Sequence, residues 1–430
     1  MRILVIGSGG REHALVKALA HSSTASALFA APGNPGTAQL GTNVDIASDD
    51  LDGLVTFAER EDIDLTIVGP EQPLVEGIVD RFEDAGLRII GPSAEAARLE
   101  GSKAFANQFM NRHEIPTASF RVFEHDEYNE AVHYIEEVGA PIVVKADGLA
   151  AGKGAFVCST VEEARDALDE IVKERAFGTA GDKVVIEERM VGEEVSVLAL
   201  TDGSHYVLLT PSQDHKPIGE GGTGPNTGGM GAFAPAPIVD GSLLTRICRE
   251  IIEPTLQGIQ AEGTPYRGVL YCGLMITPDG PKVVEYNCRL GDPEAQVVLP
   301  LVESDLVEVF DSLADGALET GSLRAASGAA ACVVLASGGY PIQYDTGYDI
   351  TGVEEAEARS NTSVIHAGTR QREDGSLVTD GGRVLGITAR GAELGTAINR
   401  AYQAVDLVDF SGKTHRSDIG EKGLAHSSDS

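Results

Sequence analysis

Basic residues are scarce in this 430-residue chain: 33 Lys and Arg face 66 Asp and Glu, a formal charge of −33. A surface of that sign repels nucleic-acid backbones and anionic lipid, so neither nucleic acid nor an acidic membrane is an expected partner. Any anionic substrate must therefore meet a local concentration of cations. The acidic excess is spread along the chain and not gathered in a tail, the pattern of a heavily solvated surface suited to high salt. Cysteine is equally sparse. The five present, Cys158, Cys248, Cys272, Cys288 and Cys332, show no C-x-x-C spacing, which argues against a disulfide framework or zinc knuckle and for free thiols in a reducing cytosol. No apolar stretch is long enough to span a bilayer, and the opening Met1 to Gly7 is a short strand and turn that lacks the features of a signal peptide. The expected location is cytoplasmic.

What is present is length and βα alternation. A chain of 430 residues exceeds a single core and is expected to form three or four domains. Residues 1 to about 100 alternate short apolar runs (Ile3 to Ile6, Leu28 to Ala31, Leu65 to Val68, Arg88 to Ile90) with helical stretches such as Glu12 to Ala20, predicting a parallel sheet covered by helices. The first loop, Gly7 to His13, opens a helix directly after a strand, where backbone N–H groups and the helix dipole could receive a phosphate. It is not a dinucleotide fingerprint. The third glycine would fall at Glu12, and the second strand runs into Pro32–Gly36 without the acidic residue that holds a ribose hydroxyl. A second loop, Gly69-Pro70-Glu71, leaves the strand Leu65 to Val68 on the same carboxyl edge, where open α/β sheets bind ligands.

A helix over Lys103 to Arg112 is broken at Ile115-Pro116. Between Phe120 and Glu188, strands mix with helices at Asn129 to Val138 and Val161 to Arg175, an α+β module. Its strand Pro141 to Lys145 runs into the glycine-rich Ala146 to Gly154 and returns as Ala155 to Cys158, which predicts a flap. This is no Walker A loop, because the glycine spacing is one short, Lys153 precedes glycine, and a strand follows where a helix should. A flap can still cover phosphates, with Lys145 pointing toward them and Gly152 and Gly154 allowing close backbone approach. The segment Val184 to Ser196 reads as a strand, a short connector and another strand; an adenine ring could lie there against Val191, with Glu194 at the ribose hydroxyls. Residues 211 to 235 are dense in glycine and polar side chains, so no packed element is expected, only an ordered binding loop carrying Asp214, His215 and Lys216. Of these, Asp214 and Lys216 are the better candidates for a polar substrate.

The most informative stretch runs from Glu285 to Val297. It follows Val283 and Val284, so it reads as a buried strand entering a turn at Gly291. Strand period puts Glu285, Asn287 and Arg289 on one face and Val284, Tyr286 and Cys288 on the other. The two oxygens could hold a small hard cation that keeps phosphates as its other ligands, while the arginine neutralises a phosphoryl group in transfer. The competing reading is a salt-bridged strand end, with Arg289 paired to Glu285 or Asp292. Gly268 to Ile276 is the expected antiparallel neighbour, joined through Pro278-Asp279-Gly280. After a helical stretch ending near Ala317, strands at Ala330 to Leu335 and Arg383 to Thr388 and a helix from Glu393 to Leu407 suggest a covering domain without a catalytic cluster. The tail from Ser417 to Ser430 is expected to be loose.

Together, Gly7 to His13, Gly69 to Glu71, Lys145 to Gly154, Gln213 to Lys216, Pro225 to Gly231 and Asn287 to Glu294 resemble, in order and spacing, the ATP-grasp superfamily and within it the phosphoribosylamine–glycine ligase family. The resemblance covers nearly the whole chain. It implies an α/β and α+β multidomain protein of ATP-grasp fold: an N-terminal parallel βα domain (1–100), a central domain (101–118 and 188–324), a lid with the flap (119–187) and a C-terminal covering domain (325–430). It implies ATP as co-substrate with Mg2+ or Mn2+, glycine and 5-phosphoribosylamine as substrates, and a monomer or weak homo-oligomer. Metal ligands carried over by the resemblance fall on Glu285 and Asn287, phosphate-contacting lysines on Lys103 and Lys145, and the nucleotide connector on Glu187 to Glu194, including Glu188 and Val191. Arg289 would stabilise the transferring phosphoryl. The sugar phosphate would sit at Gly9 and Gly10, with Glu71, Asp214, Lys216, Asn226, Thr227, Gly228 and Asp292 lining the remaining pocket. Many ATP-grasp enzymes carry another metal carboxylate on the preceding strand, where this chain reads Gly273-Leu274-Met275-Ile276. Two alternatives stay open: a purine-pathway carboxylase of the same superfamily, and a catalytically silent nucleotide-binding subunit.

Overall fold

The structure, a computed structural model, describes residues 1–150 and 154–428. Five strands form the N-terminal sheet in the order Thr42–Asn43, Ala27–Pro32, Arg2–Gly7, Leu65–Val68, Ile89–Ile90, all parallel. Its strands are apolar on both faces because helices such as Gly10–Leu19 and Leu51–Arg60 lie over them, burying Ile3, Leu4, Val5 and Ile6 completely. Gly7 and Gly69 leave adjacent strands at the carboxyl edge. A Cβ at either would lie 2.6 or 2.2 Å from the Glu12 side chain, so both positions need glycine.

The next unit is a four-stranded antiparallel sheet, Phe120–Glu124, Lys183–Glu188, Ile142–Ala146 and Ala155–Cys158, packed against helices Tyr128–Val138 and Val161–Val172. Lys145 pairs with Ala155, and Ala146 N–H donates to the Gly154 carbonyl at 2.8 Å, closing the base of the glycine-rich flap. Gly152 lies outside the described residues. A second antiparallel sheet is ordered Tyr206–Leu208, Glu193–Thr201, Gly268–Thr277, Gly280–Asn287, and Lys145 of the first reaches its Val284 carbonyl at 3.3 Å.

Strand Gly280–Asn287 departs from simple alternation. Gly273 faces Glu285 while Leu274 faces Val283, so Val284 is an extra, bulged residue. Val283, Tyr286 and Cys288 join the core, and Val284 does not share their face as simple period-two alternation predicts. The bulge keeps the apolar side buried on both sides of the irregularity and turns Glu285 and Asn287 to the cleft.

The C-terminal sheet corrects two further expectations. Its order is Gln213–Asp214, Gly231–Ala234, Ala329–Ala336, Arg383–Gly391, Thr362–His366, so the glycine-rich stretch 211–235 contributes two strands to it, and residues 217–219 and 223–226 form a separate two-stranded ribbon. Gly231 to Ala234 is fully buried, with Phe233 among the largest side chains the fold encloses completely. As far as residue 428, the last one described at this end, the tail is not loose. Arg416 pairs with Asp418 at 2.6 Å and donates to the Pro217 carbonyl, Asp418 accepts from Gly221 N–H at 2.8 Å, Ile419 is buried, and helix Glu421–Ser428 follows. Among the described residues, no helix is long and apolar enough to cross a membrane.

Candidate active site

Three lysines from three separate segments converge on Glu285. Lys216, on the loop after strand Gln213–Asp214, places Nζ 3.1 Å from Glu285 Oε1 and 3.5 Å from Glu194 Oε2. Lys216 foremost, with Lys145 and Lys103 behind it, holds the Glu285 carboxyl at about 2 although burial pushes the other way. Glu285 is therefore ionised at any physiological pH. Burial would lower the Lys216 ammonium, but Glu285, Glu194 and Asp214 raise it well above its ordinary value, so the lysine stays charged.

Lys145 is buried deeper. Its Nζ lies 2.6 Å from Glu187 Oε2, with side chains only 9 % and 5 % exposed, and donates to the Val284 carbonyl at 3.3 Å. The other Glu187 oxygen accepts from Asn107 Nδ2 at 2.8 Å, so this carboxylate serves the lysine and faces away from solvent. Lys103 begins helix Lys103–Arg112, which Ser102 caps, and its Nζ donates to the Gly148 carbonyl of the flap at 3.1 Å. Burial lowers the Lys103 pKa, opposed by Glu285. In the connector, Glu188 accepts from the Ser119 hydroxyl at 3.0 Å, and Val191 is 74 % exposed. Glu285 and Asn287, two residues apart on the face opposite Tyr286, give an ionised carboxylate and an amide oxygen. That donor set fits part of the shell of a hard divalent cation, whose remaining ligands would be water and phosphate oxygens.

Arg289 lies past the end of this strand and pairs with neither Glu285 nor Asp292. Its Nε is 3.1 Å from Glu71 Oε2, its Nη2 is 2.8 Å from Glu100 Oε1, and Nη1 donates to the Leu290 carbonyl. Arg11 approaches the same Glu71 oxygen at 3.9 Å and also donates to Leu290 O. Burial would raise Glu71, but Arg289 and Arg11 hold it at about 2. At the first loop, Glu12 reaches back so that its Oε2 accepts from Gly9 N–H at 2.6 Å. The residue that breaks the dinucleotide fingerprint thus occupies the Gly9 donor itself, and a phosphate at Gly9 and Gly10 would draw on other donors. A Cβ on Gly10 would stand 2.7 Å from Gln296 Nε2 and 3.6 Å from Asp292 Oδ1, so this loop abuts the Asp292 turn.

The loop around Gly228 is held from the C-terminal sheet. Arg383 donates to Asp292 Oδ2 and Asp292 O at 2.9 Å each, and to the Gly228 carbonyl at 2.5 Å. The other Asp292 oxygen accepts from Gln296 Nε2 at 2.6 Å. Thr227 spends its hydroxyl on the Lys216 carbonyl at 2.7 Å, which fixes Lys216, while Asn226 beside it is exposed. Burial foremost, with Glu294, Glu194 and Glu285, lifts Asp214 above the usual carboxylate range against the pull of Lys216. Arg383, Glu100, Arg11 and Glu12 are the site residues that the sequence does not single out. Only Glu12 has a local signal, the glycine it replaces; Arg383 and Asp292 stand 91 positions apart, and nothing in either segment announces the other.

A lysine-lined cleft between a flapped antiparallel lid and a second antiparallel sheet defines an ATP-grasp enzyme. Solved structures agree: the chain superposes on the biotin carboxylase domain of Hydrogenobacter thermophilus 2-oxoglutarate carboxylase with a TM-score of 0.72, at 17% identity over 99% of this chain and 98% of that one, a likeness of fold alone. Family models for phosphoribosylglycinamide synthetase match in succession, the N domain over residues 1–100, the ATP-grasp (A) domain over 101–295 and the C domain over 330–422. Phosphoribosylamine–glycine ligases of Chlorobaculum tepidum and Allochromatium vinosum are 50% and 51% identical, each over 99% of this chain and 100% and 99% of their own. The crystal structure of the Thermotoga maritima phosphoribosylamine–glycine ligase matches with a TM-score of 0.85, at 34% identity, covering 97% of this chain and all of that one. The chain belongs to the phosphoribosylamine–glycine ligase family.

Proposed function

We propose that this protein joins glycine to 5-phosphoribosylamine, with ATP cleaved to ADP and phosphate, to give glycinamide ribonucleotide in purine biosynthesis. One observation carries the residue assignment: in a chain of formal charge −33, three lysines from separate segments act on the one carboxylate of Glu285, where a polyphosphate and its cation would need them. Lys103 and Lys145 contact the phosphates beneath the flap, and the connector 187–194 receives the base and ribose. Glu285 and Asn287 would hold Mg2+ or Mn2+, which when bound neutralises phosphate charge.

Glycine's carboxylate oxygen attacks the γ-phosphorus and ADP leaves, so the enzyme needs no side-chain nucleophile; it aligns the reactants and neutralises charge. Arg289 stabilises the transferring phosphoryl. The resulting glycyl phosphate meets the amine of phosphoribosylamine, whose attack at the acyl carbon expels phosphate. Glu71, Asp214, Lys216, Asn226, Thr227, Gly228 and Asp292 line the two substrate positions, and Gly9 and Gly10 face the sugar phosphate. The flap excludes water from the anhydride. The four segments 1–100, 101–118 with 188–324, 119–187 and 325–430 act as the working units, the last two sharing the task of closure. The five cysteines are free thiols, which suits a reducing cytoplasm, and the protein works as a monomer or weak homo-oligomer.

ADP release measured with glycine and phosphoribosylamine, separately and together, tests the assignment. Full turnover is expected only with both. Release that depends on bicarbonate would transfer the chain to the carboxylase branch.

A further inference from the structure

Arg289 has been given the phosphoryl-stabilising role, yet its own position is set by a segment with no role so far. Of its two carboxylate partners, Glu71 is 29 % exposed and is shared with Arg11. Glu100 is different. It lies in the last turn of helix Ala94–Gly101 with its side chain 6 % exposed, and both of its oxygens are engaged: Oε1 with Arg289 Nη2 at 2.8 Å, Oε2 with Cys288 N–H at 2.6 Å. One buried carboxylate therefore grips the guanidinium and the backbone amide immediately before it. Three residues later Lys103 starts the next helix and reaches the flap carbonyl of Gly148. Glu71, Glu100 and Leu290 take three of the five guanidinium donors, which leaves N–H groups for a phosphoryl oxygen.

We infer that Glu100 is the positioning residue of the phosphoryl-transfer step, holding Arg289 at both its base and its tip, while Glu71 is the exchangeable partner that gives way to an anionic substrate group. The inference deepens the function proposed above and rests on Arg289 acting in it. Glu100→Gln is the discriminating change. The amide oxygen can still accept from Cys288 N–H, but the NH2 group turned to the guanidinium opposes donor to donor, so the shape is kept and the grip is lost.

The experiment is a cycle of wild type, Glu100→Gln, Arg289→Lys and the double variant, read as kcat and KM for ADP release, with thermal midpoints alongside. Because a misplacement of about 1 Å can cost on the order of 100-fold, kcat of Glu100→Gln should fall by about that factor, with KM for ATP within about threefold. In the Arg289→Lys background the same substitution should cost less than about threefold, since coupled residues lose additivity. A full loss in both backgrounds, or an unchanged kcat, overturns the inference. If Glu100→Gln does not fold, Glu100→Asp takes its place: a retracted carboxylate should lower kcat at an unchanged thermal midpoint, and wild-type kcat overturns the inference. A wild-type enzyme that releases no ADP with both substrates overturns the proposed function and this inference with it; an active wild type with additive losses overturns this inference alone.

Discussion

Replacing Lys145 by methionine should destabilise the lid for a reason separable from catalysis. Lys145 and Glu187 meet at 2.6 Å with side chains 9 % and 5 % exposed, and Glu187 also accepts from Asn107 Nδ2. Deleting the lysine leaves a buried carboxylate without its counter-charge, which costs roughly 3–5 kcal/mol where such pairs have been broken. At a slope of about 2 kcal/mol per molar urea, the unfolding midpoint of the lid sheet should drop by about 2 M. Adding Glu187→Gln removes the orphaned charge and keeps an oxygen for Asn107, so the double variant should recover to within about 1–2 kcal/mol of wild type. ADP formation should stay absent in both, because the phosphate-contacting cation is gone from each. Urea titration of the two variants, paired with ADP release, separates the effects. A single variant as stable as wild type, or a double variant no more stable than the single, refutes the buried-pair energetics; turnover by either refutes the role given to Lys145.

Three other expectations follow from the charge distribution. Glu71 titrates at about 2 in the folded protein against an ordinary 4.5, so its stabilisation is complete above pH 4.5 and is lost as pH falls through about 2. Glu71→Gln should therefore lower the unfolding free energy at pH 7, read from urea titrations, by an amount on the order of 3 kcal/mol, and the gap should close in acid; a gap independent of pH contradicts the assignment. Arg383→Ala frees the loop carbonyl of Gly228 and the Asp292 carboxylate. A charge-assisted hydrogen bond is worth about 1.5–3 kcal/mol, so KM for phosphoribosylamine should rise on the order of tenfold or more in steady-state kinetics, with KM for ATP little changed. The formal charge of −33 repels itself, so adding KCl should raise the thermal midpoint until screening saturates; loss of fold at high salt with gain at low salt would count against a salt-adapted surface.

Much of this architecture was legible because each signal was local. Apolar runs spaced by helices foretold the parallel sheet, the break at Ile115-Pro116 marked the end of helix Lys103–Arg112, and two apolar strands around Pro278-Asp279-Gly280 foretold the hairpin that carries Glu285. What the chain concealed was non-local. Gly231 to Ala234 is too short, and too closely surrounded by glycine and polar residues, to announce a central strand, and it becomes one because Ala329–Ala336, about a hundred residues on, offers a complementary edge. The bulge at Val284 is set by its pairing partner, so simple alternation misplaced that residue. Arg383 and Glu100 carry no motif; their importance lies in carboxylate, carbonyl and guanidinium partners brought to them by the fold. The tail was expected to be loose because it is polar, yet Arg416 and Asp418 bind the ribbon at Pro217 and Gly221.

The central claim is that the cation-lined cleft activates glycine by attack of its own carboxylate on the γ-phosphorus. Glycine labelled with 18O in the carboxylate tests this directly, with the inorganic phosphate examined by mass spectrometry after turnover with ATP and phosphoribosylamine. One labelled oxygen should appear in the phosphate for each glycinamide ribonucleotide formed. Product made with unlabelled phosphate would contradict the mechanism.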